Sequence, residues 1–264
     1  MYYIDYHTHS KCSFDSEAEL RDMVAAARAA GLSELCITDH CDLINEHGQR
    51  VYDLNWAPLV QQFESVRSTL TGEPFTLKLG LEFGMGHVEP PCSDKILSQP
   101  LLDFVIGSVH NYSPERGSGD FYYSDMSTPE ACNAILEDYF FSLRQLVQTP
   151  YYDILGHIIY PLRYMGGNAS ILDWMEDVDF LLKAVISSGR GIEFNTNRGN
   201  QLTDWIPVLK RYKELGGEIL TVGSDAHVPT HTGLGIPEAY ELLRSLGFRA
   251  VCTYEKHKPT FIDI

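Results

Sequence analysis

Hydrophobic positions along the chain follow two periods. Short runs rich in apolar and β-branched residues recur at 2–6, 34–38, 75–81, 104–108, 152–155, 191–195, 218–222 and 250–253, each with the length and make-up of a strand. Between them, at 17–30, 56–70, 129–147, 171–188, 203–215 and 237–246, apolar residues return every three to four positions, the spacing of one buried helical face. In the first of these Leu20, Val24 and Ala27 make the stripe, and Gly31 supplies a C-terminal stop. Strand and helix in alternation predict successive βα units around a parallel sheet, an α/β fold. Each Pro/Gly-rich stretch is short and leads into another unit, so 1–264 is expected to form one domain. Two connections, 84–100 and 111–129, are too long for plain linkers, and long connections in a compact domain usually carry function.

Length and composition narrow the class. A chain of 264 residues suits one α/β barrel, for which roughly 250 is typical. No apolar run approaches the roughly 20 residues of a membrane span. Met1 leads straight into the first strand without a basic and then apolar leader, so a cytoplasmic location away from membranes is expected. The cysteines (Cys12, Cys36, Cys41, Cys92, Cys132, Cys252) show no C-x-x-C pair and no framework spacing, and are expected to be reduced thiols. Cys36 and Cys252 lie in strand runs and belong in the core, while Cys12 and Cys41 pack beside histidine motifs. A net charge of -16 argues against a nucleic-acid partner, because such binding neutralises phosphates with Lys and Arg. An anionic substrate would need bound metal and a few arginines to reverse that field locally.

Candidate chemistry collects at the ends of the predicted strands. His7 and His9 are two apart at the end of the first and therefore share a face. Asp15 follows, beyond a short turn. Asp39 and His40 end the second strand, Glu82 the third, His110 the fourth, His157 the fifth, and Asp225 with His227 the seventh. In a parallel barrel those ends converge on the face where active sites lie. Taken singly, a His after an apolar strand is commonly a structural residue, and Asp-x-His a helix cap or an ion pair. Taken together, six of the chain's 10 histidines and four carboxylates exceed what one ion uses, so a cluster of two or three ions is the economical reading. Mixed imidazole and carboxylate donors suit Zn, Mn or Fe without choosing among them.

These residues sit in H-T-H-S at 7–10, I-T-D-H at 37–40, G-L-E at 80–82, G-S-V-H at 107–110, I-L-G-H at 154–157 and G-S-D-A-H at 223–227. In that order and spacing the chain resembles the polymerase and histidinol phosphatase (PHP) superfamily, over essentially its whole length, and within it the histidinol-phosphatase branch. The resemblance implies a distorted (β/α)7 barrel with three divalent ions (Zn, Mn or Fe) at the C-terminal ends of the strands. Carried over residue by residue, it implies His7, His9, Glu82 and Asp225 for one ion. Glu82 would bridge to a second with His110 and His157, and Asp15, His40 and His227 would hold the third. Some members have His where Asp15 stands; a carboxylate is compatible with that site. Asp39 is then expected to orient an imidazole rather than to ligate.

Two ions sharing Glu82 can share a water and lower its pKa from 15.7 toward about 7. The third can grip a phosphate oxygen, so that in-line attack needs no covalent protein intermediate. Glu82, Asp225 and His227 are the catalytic candidates, the last two as proton carriers. Arg163 and Arg198 follow strands five and six and offer cationic forks for phosphate. The loop holding Glu115 and Asp120 offers anions for a substrate amine. The expected activity is hydrolysis of L-histidinol phosphate to L-histidinol and phosphate, with a small phosphorylated substrate as the partner and oligomeric state left open. A phosphoesterase of the same superfamily acting on another phosphomonoester, a nucleotide or a cyclic phosphodiester is the alternative. An amidohydrolase would place a lysine where Glu82 stands and has no role for the Thr-Asp-His at 38–40. A non-enzymatic metal-storage or regulatory module should have lost ligands, and none is missing.

Overall fold

Seven strands pair in parallel in the order β1 (Ile4–Asp5), β2 (Glu34–Ile37), β4 (Thr76–Gly84), β5 (Phe104–Ser108), β6 (Ile154–Leu155), β7 (Gly191–Asn195) and β8 (Leu220–Gly223). Between β2 and β4 in the chain, β3 (His40–Asp42) resumes the line of β2 after a break at 38–39 and also pairs with β4, His40 opposite Glu82 and Asp42 opposite Gly84. The computed structural model describes residues 1–264. The two edges of the sheet meet. Tyr6 N donates to Val222 O at 2.9 Å, Asp225 N to His7 O at 2.9 Å and His9 N to Ala226 O at 2.8 Å, and Thr8 bridges Ala226 in parallel. The outcome is the distorted seven-stranded barrel expected from the sequence.

The connecting helices are α1 (Leu20–Ala29), α2 (Trp56–Thr69), α3 (Pro90–Ile96), α4 (Pro129–Leu146), α5 (Met175–Ser187), α6 (Ile206–Glu214) and α7 (Ile236–Ser245). The apolar stripe expected of α1 is buried as Leu20, Met23, Val24 and Ala27. The Asn55 and Thr128 side chains accept from the Ala57 and Ala131 amides, capping α2 and α4. No helix is long and apolar enough to cross a membrane.

Three expectations need correction. The run at 250–253 is not a barrel strand: it belongs to β9 (Ala250–Glu255), which folds back antiparallel on β10 (Lys258–Asp263). This hairpin covers the N-terminal end of the barrel, where Tyr254 packs on Tyr6 and Phe104 and the His257 amide donates to Asp103 O. The long connection at 84–100 contains α3, opened by paired prolines in its first turn. The helical runs at 171–188 and 203–215 begin as 3-10 turns, Ile171–Trp174 and Thr203–Trp205.

Candidate metal centre

Glu82 stands near the end of the longest barrel strand with its carboxylate buried, and five imidazoles surround it. Its Oε2 lies 2.9 Å from His7 Nε2, 3.5 Å from His9 Nε2 and 3.2 Å from His40 Nδ1. Its Oε1 lies 2.8 Å from His157 Nε2 and 3.2 Å from His110 Nε2. One carboxylate thus faces two sets of donors with different oxygens, the arrangement a bridging ligand needs. Asp225 Oδ1 completes the first set, 3.5 Å from both His7 Nε2 and His9 Nε2. A third set lies beside it, with Asp15 Oδ2 at 3.0 Å from His227 Nε2 and 3.7 Å from His40 Nε2. All nine expected ligands therefore meet at the C-terminal end of the barrel.

The imidazoles are aimed by groups behind them. Glu193, on β7, receives His7 Nδ1 at 2.7 Å on one oxygen and the His157 backbone N–H at 2.9 Å on the other. Gly223 makes room for this contact, since a Cβ there would lie 2.4 Å from His7 Cβ and 2.6 Å from Glu193 Oε1. Asp39 acts at one remove: Ser13 Oγ donates to it at 2.9 Å and lies 3.1 Å from His9 Nδ1. With its proton given to Asp39, Ser13 can only accept from His9, which fixes the tautomer with the proton on Nδ1. His9 Nε2 is then a buried lone pair with no hydrogen-bond partner. Such an atom is costly to leave bare, and coordination to a cation resolves it. The donor set passes the same test, as neutral imidazoles and carboxylates are what Zn, Mn or Fe take.

Protein groups alone titrate oddly here. Burial lowers the His9 pKa, and neighbouring His227 and His40 lower it further. Burial also opposes the charge on His110, but Asp42 and Glu82 outweigh it and push its pKa up to about 10. Burial would raise the pKa values of Glu82 and Asp225, yet His7, with His40 and His110 at Glu82 and Arg163 at Asp225, holds both well below the carboxylate range. Asp225 itself sits at φ 61, and Asn197 and Arg198 at φ 45 and 56, left-handed conformations that are uncommon in non-glycine residues. Asp5 anchors the segment that carries Asp225 and His227 by accepting from the Ser224 amide at 2.9 Å, the Ser224 hydroxyl and the Gly233 amide at 2.9 Å.

The donors open into a cavity of about 350 Å³ that Arg163, Arg198, Asp120, Glu46, Phe14, Tyr122, Tyr160 and Tyr164 also line. The two arginines differ. Arg163 is committed, its guanidinium donating to Asp225 at 2.6 Å, Asn195 at 2.7 Å and Gln201 at 2.8 Å, so it steadies Asp225 rather than waiting as a free fork. Arg198 donates only to the neighbouring Asn197, at 2.6 Å, and its Nε is buried without a partner. Glu115 is a correction: it is exposed and does not line the cavity. Its turn is pinned to α4 through Ser113, whose N–H and hydroxyl both donate to Asp138, and the acidic residues that reach the cavity are Asp120 and Glu46. The sequence reading missed Asp42 and Glu193. Asp42 shares a face with His40 only because 40–42 forms a strand, and Glu193 lies inside an apolar strand run, so neither stood out by spacing.

Residues 5–197 match the PHP domain family. The chain is 29% identical over 97% of its length to the histidinol-phosphatase of Lactococcus lactis, covering 95% of that protein. It superposes with a TM-score of 0.81, at 28% identity and 98% coverage of both chains, on a crystal structure of histidinol phosphate phosphatase from the same organism complexed with zinc, L-histidinol and phosphate. A crystal structure from Listeria monocytogenes, 16% identical over 89% of this chain and 99% of that one with a TM-score of 0.75, shares the fold. The segment carrying Asp225 and His227 lies beyond the matched 5–197, and the barrel closure brings it to the others.

Proposed function

The chain belongs to the PHP domain family, and on that premise we propose that it is a metal-dependent phosphatase that hydrolyses L-histidinol phosphate to L-histidinol and phosphate. The observation that carries this reading is Glu82, a buried carboxylate with five imidazoles within 3.5 Å of its two oxygens. Support comes also from the relatives of nearly equal length, one of them seen with zinc, L-histidinol and phosphate.

In this reading three ions are held, the first by His7, His9, Glu82 and Asp225, the second by Glu82, His110 and His157, and the third by Asp15, His40 and His227. Divalent cations so held supply Lewis acidity, stabilising charge on phosphoryl oxygens and making water acidic enough to act as a nucleophile near neutral pH. The chain's own groups do the rest. Arg198 aims its unpartnered Nε at a phosphate oxygen, a charge-assisted bond that places the phosphorus for in-line attack. Arg163 keeps Asp225 ionised and oriented through Oδ2, leaving Oδ1 toward the imidazoles. His227 gives its Nδ1 proton to the Asp225 carbonyl at 3.0 Å, which leaves Nε2 free to ligate, so the departing alkoxide takes its proton from water in the open cavity. The departing alkoxide carries an imidazole and an amine. Tyr160 and Tyr164 offer faces for the ring, and Asp120 takes the amine in place of the excluded Glu115.

The test is free-phosphate release by Mn- or Zn-supplied protein across phosphomonoesters and phosphodiesters. Histidinol phosphate is expected to have the highest kcat/KM. A nucleotide or cyclic phosphodiester ahead by about tenfold or more, some 1.4 kcal/mol in transition-state binding, would reassign the substrate.

A further inference from the structure

Asp42 lies outside every ligand set assigned above, yet it is buried among them. Its Oδ1 is hydrogen-bonded to His110 Nδ1 at 2.9 Å, and its Oδ2 lies 3.4 Å from His40 Nδ1, a buried nitrogen that makes no hydrogen bond and stands 3.2 Å from Glu82 Oε2; with Glu82 given to cations, Asp42 is the acceptor left for it. Those two imidazoles belong to different ion sites, His110 to the second and His40 to the third. Each turns its other nitrogen to its own site, His110 Nε2 toward Glu82 and His157, and His40 Nε2 toward Asp15. We propose that Asp42 is a positioning residue that holds both imidazoles by their Nδ1 protons, so that one carboxylate sets the ligand geometry of the second and third ion sites together. This rests on the metal-centre reading of the site.

The fold makes room for this carboxylate at one position. Asp42 pairs with Gly84 across β3 and β4, and a Cβ on Gly84 would fall 1.5 Å from Asp42 Oδ1 and 2.4 Å from its Cγ. No other contact at Gly84 would be closer than 3.1 Å, and that one is Asp42 Cβ. Gly84 is not in the left-handed region, so alanine is compatible with its backbone. The glycine is therefore explained by the side chain opposite it rather than by a turn. His110 and His40 turn Nε2 to their own sites and Nδ1 toward Asp42, and an imidazole that donates one N–H to a carboxylate presents its other nitrogen in a fixed direction.

Gly84→Ala provides a test that alters no proposed ligand, and Asp42→Ala provides the direct one. Chelated wild type and both variants are titrated with Zn against a competing chromophoric chelator, ion content is measured by elemental analysis, and thermal unfolding of the chelated chains is followed by circular dichroism. Both variants are expected to keep the first ion at wild-type affinity while affinity for the other two falls about 10- to 100-fold. Unfolding of chelated Gly84→Ala is expected to match wild type, because Asp42 is free to rotate away. Full ion content with affinities within about twofold of wild type in both variants would overturn the proposal. So would equal weakening of all three ions with early unfolding of Gly84→Ala, which marks a structural role. The readout is separable from the substrate assignment: loss of two ions upholds Asp42 even if histidinol phosphate is not hydrolysed.

Discussion

The two ends of the barrel are built from the same kinds of residue and finish differently. At the N-terminal end the buried and half-buried carboxylates are satisfied by the protein. Glu34 accepts from the hydroxyls of Tyr2 and Tyr6, Asp103 meets Lys256 Nζ at 2.9 Å, and Asp153 takes the Val105 amide at 2.8 Å and His257 Nδ1 at 2.9 Å. The β9–β10 hairpin then covers that end with Tyr254 against Tyr6 and Phe104. At the C-terminal end His9 Nε2, His40 Nδ1, His157 Nδ1 and Arg198 Nε are buried and lack hydrogen-bond partners. Folding usually leaves few buried polar groups unpaired, and these four lie among the donors or on the wall of one cavity, which marks what that end is for. The closed end contributes stability, and the open end is completed by cations and substrate.

The largest break of this contrast is expected at Glu82. Glu82→Gln keeps the volume but replaces a bridging anion with an amide, and turnover should fall about 1000-fold or more while ions are lost from two sites at once. Steady-state kinetics with elemental analysis checks both, and retention of half the activity would place the bridge elsewhere. Arg198→Ala comes next. Metal content should stay constant while kcat/KM falls about tenfold or more, since a charge-assisted hydrogen bond is worth about 1.5 to 3 kcal/mol. Lysine should rescue only in part, because a point charge does not reproduce a planar fork.

Much of this contrast was legible in the sequence. Strand runs 104–108 and 191–195 coincide with β5 and β7, and the ligand candidates were found because each follows an apolar run. What was hidden has physical reasons. The β10 strand is mostly exposed and lacks an apolar stripe, so no period marks it, and its partner β9 consequently resembled one more barrel strand. His40–Asp42 holds too few apolar positions to announce a strand, and without that strand Asp42 has no face to share with His40. Glu193 sits inside an apolar run where the pattern predicts core, and only the closure of β8 on β1 brings His7 to it. Glu115 and Asp120 are equivalent by composition, and the anchoring of Ser113 to Asp138 decides which of them reaches the cavity.

Smaller effects sharpen the comparison from the closed end. Tyr6→Phe removes the hydroxyl that donates to Glu34 and accepts from the Tyr254 amide at 2.7 Å. Denaturant unfolding should show a loss of about 1 to 3 kcal/mol, the cost of unpaired buried polar groups, with kcat/KM within about twofold of wild type. A further effect is on pH dependence. In protein stripped by a chelator the His110 pKa is raised, by Asp42 and Glu82 against burial, to about 10, above the unfolded value of about 6.5. Its contribution is therefore fully present below about pH 6.5 and lost as pH rises through about 10. The Tm of stripped protein should decline over that window. Metal-loaded protein, in which His110 holds an ion instead of a second proton, should not share this loss.

The most direct test of the open end is a count. Protein purified without chelator and shown to be fully active should carry close to three divalent ions per chain by elemental analysis, and stripping them should abolish phosphate release that added Zn or Mn restores. Full activity with two ions or fewer, or activity that survives complete removal of metal, would contradict the account.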